Sequence, residues 1–285
     1  DVHHLARADE KEVYRIWQGL GYYNRCRNML ETARHISANC NGRFPDTPDA
    51  LMKLKGIGPY TAAAIASFAF HYPSAVVDGN VIRVLSRVFA VRWDEQKPEG
   101  KKKFAGLASA CLDIKRPHRY NQAIMDLGAT VCLPAQALCD PCPLKAICLA
   151  SQRGQVKNFP LKKKKKPLQE RVFHFFVYKQ GRSVFLTLRP PGDIWAGLYS
   201  FPYLETPVGK EFPAESLHRL NTEQAVWNGR QTLSHQRITG YFYLITLSAG
   251  AKPNEAGLIR VEKKKLESYP FPKLLIDFLK NSFYL

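Results

Sequence analysis

Acidic residues are scarce in this 285-residue chain: 24 aspartates and glutamates stand against 42 lysines and arginines, a formal net charge of +18. Solubility alone favours a net charge of magnitude about 2–8 in a small domain. The excess therefore points to a polyanionic partner. It is spread along the chain, with +8 in residues 1–160, +4 in 161–170 and +6 in 171–285. Also missing is any apolar run of the roughly 18–20 residues needed to span a bilayer, and no secretory signal is visible. No basic amphipathic helix stands out, which makes anionic membrane the weaker partner. The chain lacks an initial methionine and opens at Asp1 inside helical sequence, so it reads as a fragment or a trimmed chain.

What is present is enough for two domains, each able to bury its own core, and a 45% hydrophobic fraction fits globular folding. Seven cysteines would suit a disulfide framework if they were spread evenly, but four fall within the 17 residues 132–148. That clustering fits a reducing compartment and a metal site, leaving Cys26, Cys40 and Cys111 as ordinary free thiols.

The chain is organised around LMKLKGIGPYTAAAIASFAFHYPSAVVD, residues 51–78. Leu51, Leu54 and Ile57 lie at helical spacing, Gly56 and Gly58 bracket a turn, and Pro59 suits the first position of a second helix. Such a turn presents bare N–H groups at a helix N-terminus, an anion site suited to a nucleic-acid phosphate. An ordinary helix–helix turn is the plainer reading of the same residues. The pattern resembles the hairpin of the helix-hairpin-helix DNA glycosylases, L-x-G-[IV]-G-x-x-T-A, in which an aspartate follows the hairpin after an apolar run. Asp78, in VVDGNV, holds that place. The amphipathic run Val81–Val88 continues as a helix, and Asn80 is placed to cap it or to bind the sugar–phosphate backbone.

Upstream, Val13, Ile16, Trp17 and Leu20 recur at helical spacing until Gly19 and Gly21 break the pattern before Tyr22 and Tyr23. Glycines beside paired aromatics and Arg15, Arg25 and Arg27 suit a loop against DNA, where an aromatic stacked on a base contributes roughly 1–3 kcal/mol. Burial of both tyrosines in a core is the alternative. The WQGLGYY run resembles the adenine-specific branch of the same family, whose first tyrosine wedges into the duplex; by that resemblance the wedge is Tyr22. A helix is expected from Met29 to about Ala38, and another over 119–131, ending at Gly128 with Asp126 buried as a capping or pairing group. Lys101, Lys102 and Lys103 read as a solvated charge run.

Cys132, Cys139, Cys142 and Cys148 form C-x6-C-x2-C-x5-C. Four thiolates this close can enclose zinc or an iron–sulfur cluster, and the spacing alone does not decide between them. Resemblance to the cluster loop of the same glycosylases implies [4Fe–4S], with Lys145 on a DNA phosphate.

Residues 154–170, with almost no apolar face and five consecutive lysines, read as a basic linker. Beyond it the period changes: RVFHFFVYK, SVFLTLR, LYSFPYL and GYFYLITLS are β-rich, while 214–220 and 271–283 look helical. This α+β segment resembles the Nudix-like, pyrophosphohydrolase-related C-terminal domain of the adenine-specific branch, most clearly at RPPGDIWAGLYSFP. The acidic metal box R-E-x-x-E-E of active pyrophosphohydrolases is absent from 171–285, so a lesion sensor is expected rather than a hydrolase.

The resemblance implies a mainly α helix-hairpin-helix glycosylase domain over 1–153 with an iron–sulfur loop at 132–148, the linker 154–170, and a Nudix-like lesion-recognition domain over 171–285. It implies excision of adenine opposite 8-oxoguanine or guanine in double-stranded DNA, by a monomer in the bacterial cytoplasm and associated with the nucleoid. Asp78 would be the carboxylate facing the sugar, although it also suits a plain helix N-cap. Tyr60 stands where strand-cutting relatives carry a Schiff-base lysine, so strand cleavage is expected to be absent or weak, and Tyr60 is expected in the catalytic site, hydrogen-bonding near the reacting sugar. Gly56, Gly58, Asn80 and Tyr22 would meet the DNA backbone or duplex, and Leu233, Ser234 and His235 would read the oxidised guanine. The family's general acid is a glutamate well upstream of the Gly19–Tyr23 run. Glu10 and Glu12 match no such motif, so residues 1–285 alone are expected to bind lesions but excise poorly. Two alternatives stay open: a lesion-binding protein without chemistry, and an endonuclease III-like glycosylase and lyase.

Overall fold

A computed structural model of the chain describes residues 1–162, 167–209 and 225–282. Two compact units result: one combines Asp1–Arg34 with Lys165–Leu285, the other is His35–Lys164. The sequence instead suggests a break at the linker 154–170, with residues 1–34 in one domain with 35–153. No helix among the described residues is long and apolar enough to cross a membrane.

The second unit is helical. After the end of α3 (Tyr23–Asn39) come the short α4 (Pro48–Leu51), α5 (Pro59–Phe70), α6 (Gly79–Val88), α7 (Pro98–Cys111), α8 (Pro117–Thr130) and the short α9 (Leu149–Gln152). Proline opens α4, α5, α7 and α8 at or next to the first position, where its missing N–H costs nothing. Helix α6 buries Val81, Val84 and Leu85 against Ala108 and Ile124. It also buries Arg83, Ser86 and Arg87, a polar load that amphipathic periodicity does not announce. Helix α8 runs past Gly128 to Thr130, and Asp126 is exposed, accepting from Gln122 Nε2 at 2.8 Å. This corrects the burial expected for Asp126: the buried stripe of α8 is Asn121, Ile124 and Gly128, which turns position 126 outward. Phe159, within the expected linker, is buried.

In the first unit, α1 (Val2–Arg7) and α2 (Glu10–Trp17) are each capped by an aspartate side chain, Asp1 on the His4 N–H and Asp9 on the Lys11 N–H. Helix α2 ends at Trp17, whose indole N–H closes the following loop onto the Gly21 carbonyl at 2.9 Å. Ile16 and Leu20 consequently do not share the buried face of Val13; both are well exposed. Helix α3 begins at Tyr23, not Met29, because Tyr23, Cys26 and Leu30 repeat at helical spacing and are buried.

The rest of this unit is a mixed sheet of β1 (Gln169–Gln180), β2 (Ser183–Leu188), β3 (Tyr199–Ser200), β4 (Tyr203–Thr206), β5 (Trp227–Thr232), β6 (Gln236–Thr246) and β7 (Ile259–Glu262), followed by α10 (Lys273–Ser282). Strands β1 and β6 run parallel from Gln169↔Gln236 to Lys179↔Thr246. The other edge of β1 is shared by β4 at its start and β2 at its end, both antiparallel. Phe173, Phe175, Trp195, Phe201, Phe242 and Phe278 fill the core together with Val13, Tyr14, Tyr23 and Leu30. The helix expected over 214–220 lies outside the described residues.

Candidate DNA interface and reactive carboxylate

The hairpin in the second unit is built as its glycines require. Leu51 and Leu54 are buried, Gly56 takes φ +74°, a region open to glycine at no steric cost, and Gly58 is the N-cap of α5. No side chain caps that helix end, so its amide dipoles remain available to an anion. Tyr60, in the first turn of α5, is 47% exposed.

Eight residues after α5, the chain places Asp78 as N-cap of α6. Its Oδ1 accepts from the Val81 N–H at 2.7 Å and its Oδ2 from Asn80 Nδ2 at 3.2 Å. Cap and reactive carboxylate are compatible roles, because each oxygen of an ionised carboxyl can accept twice. Asn80 is itself held: its Oδ1 accepts from Arg83 Nη2 at 2.8 Å. The same guanidinium donates to the carbonyls of Gly128 at 2.6 Å and Cys132 at 2.7 Å. Burial pulls the Arg83 pKa down, and the neighbouring Cys132 and Asp78 pull it back only in part. A Cβ on Gly128 would lie 2.6 Å from that of Asn80, so glycine is what lets α8 approach α6 this closely.

The cysteine loop is anchored to the other end of α6. Arg87 is 2% exposed and donates to the carbonyls of Leu133, Pro134, Val156 and Phe159 and, at 3.2 Å, to Cys132 Sγ. Residues 156–159 thereby serve the cysteine loop rather than a free linker. All four cysteines line one cavity of about 20 Å³ together with Arg87 and Lys145. Among the described residues no three His, Cys, Asp or Glu converge as a single metal ion requires. Lys145 is exposed and pairs with Asp140 at 2.7 Å.

A cleft of about 670 Å³ lies in the first unit, walled by Tyr22, Asn24, Arg25, Asp193, Ser234 and His235 among others. The paired tyrosines part company here. Tyr23 is core, its hydroxyl accepting from the Gly19 N–H, while Tyr22 is 69% exposed with φ +49°, a backbone region sparsely used by bulky residues. Ser234 Oγ and His235 Nδ1 are 3.1 Å apart on the exposed turn before β6. Its closure comes from Leu233 N–H on the Gln236 carbonyl at 2.8 Å and Gln169 N–H on the His235 carbonyl at 3.0 Å.

Sequence reasoning does not find Arg83, Arg87 and Asp193 as site residues, and it finds Gly128 only as a helix end. The available signal was the pair of arginines one turn apart in VIRVLSRV, on the helix that follows Asp78.

A hairpin with an uncapped helix end, a capping aspartate just beyond it, a cysteine-walled cavity and a mixed sheet define a protein of helix-hairpin-helix type with a further α+β part. Residues 1–109 match the HhH-GPD superfamily of base excision DNA repair proteins, and residues 173–281 match the NUDIX domain. The adenine DNA glycosylase of Homo sapiens is 36% identical, over 83% of this chain and 51% of that protein. Those of Arabidopsis thaliana and Buchnera aphidicola subsp. Acyrthosiphon pisum are 38% and 33% identical over 70% and 67% of this chain, and 34% and 55% of theirs. The chain belongs to the adenine DNA glycosylase family, and spans about half the length of its human relative.

Proposed function

We propose that the protein hydrolyses the N-glycosidic bond of adenine opposite 8-oxoguanine or guanine in double-stranded DNA, acting as a monomer. The observation that carries this reading is the placement of Asp78, half-buried beyond the hairpin with its carboxylate oriented by the Val81 N–H and Asn80. Departure of a base builds positive charge on the deoxyribose; a fixed carboxylate on the sugar's face stabilises it and can position water or form an adduct, while a second carboxyl protonates the leaving base. The target base must first leave the stack, at a cost of a few kcal/mol. The hairpin glycines Gly56 and Gly58 would meet a phosphate, as would Lys145, and Asn80 would meet the sugar–phosphate while orienting Asp78.

Tyr60 cannot form a Schiff base, which favours simple hydrolysis over strand cutting. Tyr22 suits the duplex wedge, being exposed at the rim of the 670 Å³ cleft. Across that cleft Leu233, Ser234 and His235 suit the reading of a base that differs from guanine by one carbonyl and one N–H.

The donor set of the cysteine loop fits a [4Fe–4S] cluster. Four thiols share one cavity, the number of ligands such a cluster takes, and a buried guanidinium donates to one sulfur. Cys132, Cys139, Cys142 and Cys148 would hold the cluster, which supplies a rigid, redox-stable anchor for the loop.

The test is single-turnover release of free adenine from an A:8-oxoguanine duplex by the protein at its natural length, beside Asp78→Asn, with borohydride trapping as a second readout. Adenine release that depends on Asp78, without a trapped adduct, is expected. Tight lesion binding with no adenine release would favour a sensor without chemistry, and a trapped adduct would favour a lyase.

A further inference from the structure

The cleft that faces Tyr22 has two walls from the sheet end of the unit, the turn at Gly192–Ile194 and the turn at Thr232–Gln236. A single side chain reaches both. Arg171, on β1 behind these walls and 12% exposed, donates to both oxygens of Asp193 at 2.6 and 3.2 Å and approaches Gln236 Oε1 at 3.5 Å. Its remaining N–H groups are taken by Glu205 on β4 at 2.7 Å. Asp193 is fully engaged as well: the Ile194 N–H donates to Oδ1 at 2.7 Å and Arg189 Nη2 to Oδ2 at 2.5 Å. With four donors on two oxygens it has no lone pair left for a ligand, so its place in the cleft wall is structural. Gln236 directly follows His235, is buried, and reaches Gln169 Oε1 with its amide at 3.3 Å.

Resting on the lesion-reading role proposed above, we infer that Arg171 is a specificity-determining positioning residue. It fixes the separation of the Asp193 turn from the Leu233–His235 turn, and so tunes the cleft to an oxidised purine. Arginine suits this task because its planar fork binds a carboxylate through two parallel bonds while leaving another edge free for a second acceptor; a lysine ammonium cannot hold that geometry. Discrimination of one carbonyl and one N–H depends on hydrogen-bond alignment, which weakens steeply with angle. Widening the cleft therefore costs selectivity before it costs general DNA affinity, which phosphate contacts dominate.

The experiment measures affinity for two duplexes, 8-oxoguanine or guanine opposite a non-cleavable 2′-fluoro adenosine, with thermal melts of every variant. Arg171→Lys and Gln236→Leu are each expected to lower the preference for the oxidised duplex roughly three- to tenfold, the scale of one net hydrogen bond, with guanine-duplex affinity held within about twofold. Glu205→Gln, which removes an ion pair of Arg171 away from both walls, is expected to keep the preference. A retained preference in either folded cleft variant, or equal weakening on both duplexes, overturns the inference. Should Arg171→Lys melt early, Gln236→Leu decides alone. The double variant Ser234→Ala, His235→Ala separates the two levels of the argument. If it loses the preference while Arg171→Lys and Gln236→Leu keep it, only the inference fails. If the wild type shows no preference, the lesion-reading role itself fails and the inference falls with it.

Discussion

Arg83 donates to the main-chain carbonyl of Cys132 at 2.7 Å while its other guanidinium nitrogen holds Asn80 at 2.8 Å. One buried cation thus ties the cysteine loop to the residue that orients Asp78. Arg83→Lys cannot serve carbonyls on two elements and an amide oxygen at once. We expect it to lower single-turnover adenine release at least tenfold while DNA binding falls less. Loss of release in proportion to lost binding would mean that Arg83 only supports the fold.

Asp78 caps α6, so its removal confounds stability with chemistry unless the two are separated. Asparagine caps as well as aspartate, whereas alanine costs ~1 kcal/mol at an N-cap. Asp78→Asn is therefore expected to melt within a degree or two of wild type and to be inactive. Asp78→Ala is expected to be inactive and to melt several degrees lower. Measurable adenine release by a folded Asp78→Asn variant would take the reactive role away from this residue.

How much of this was legible without coordinates follows chemistry closely. The hairpin was readable because a tight turn demands glycine at 56 and tolerates proline at 59. The cysteine loop was readable because four thiols seldom cluster otherwise. Composition does not tell Tyr22 from Tyr23, since it does not reveal which of two adjacent aromatics turns inward; only the family resemblance singles out Tyr22, the one that is exposed. Arg83 and Arg87 are not legible in this way, because a charged residue on an amphipathic helix reads as a solvated face, and the carbonyls that here replace water lie more than 40 residues away in sequence. Asp126 erred in the other direction, placed inside by position and found outside. Short β5 and β7 carry too few apolar residues to stand out from loops.

Acid should unfold the C-terminal part through Asp193. Burial raises its pKa, but hydrogen bonds from Arg171, the Ile194 N–H and Arg189 outweigh that and hold it down at about 2. A depressed carboxyl contributes stability that is fully present above its unfolded value near 4 and is lost as pH falls toward 2. The contribution is ~2 kcal/mol on that linkage. Asp193→Asn should lower stability at pH 7, and its stability should fall less steeply than that of wild type between pH 4 and 2. Parallel curves in chemical denaturation across that window would dismiss the assignment.

Iron is expected in the purified protein at about four atoms per chain, with a yellow-brown colour. Stoichiometric zinc without visible absorbance would overturn the cluster. Arg87→Met removes the donor to Cys132 Sγ and to the carbonyls of Leu133, Pro134, Val156 and Phe159, and a buried acceptor left unsatisfied, as at Phe159, costs about 1–3 kcal/mol. Reduced iron content and a lower melting temperature should appear together. Full iron loading in that variant would show that the cysteine loop closes without α6.

Gly128 gives the sharpest test of how closely α8 must press on the Asp78 network. An added Cβ would meet Asn80 Cβ at 2.6 Å and Asn80 Cα and C at 3.2 Å, and neither the backbone nor a side chain held by Arg83 can swing away cheaply. Overpacking of this kind typically costs 1–3 kcal/mol. Gly128→Ala should therefore lower the melting temperature and, by tilting Asn80 away from Asp78 Oδ2, reduce adenine release beyond what the folded fraction accounts for. Asn80→Gly in the Gly128→Ala background removes the nearest clashing atom, so stability should partly return. Activity should stay low, because the amide that orients Asp78 is gone as well. Recovery of both would show that Asn80 is dispensable and that the glycine serves packing alone; recovery of neither would place the strain elsewhere along α8.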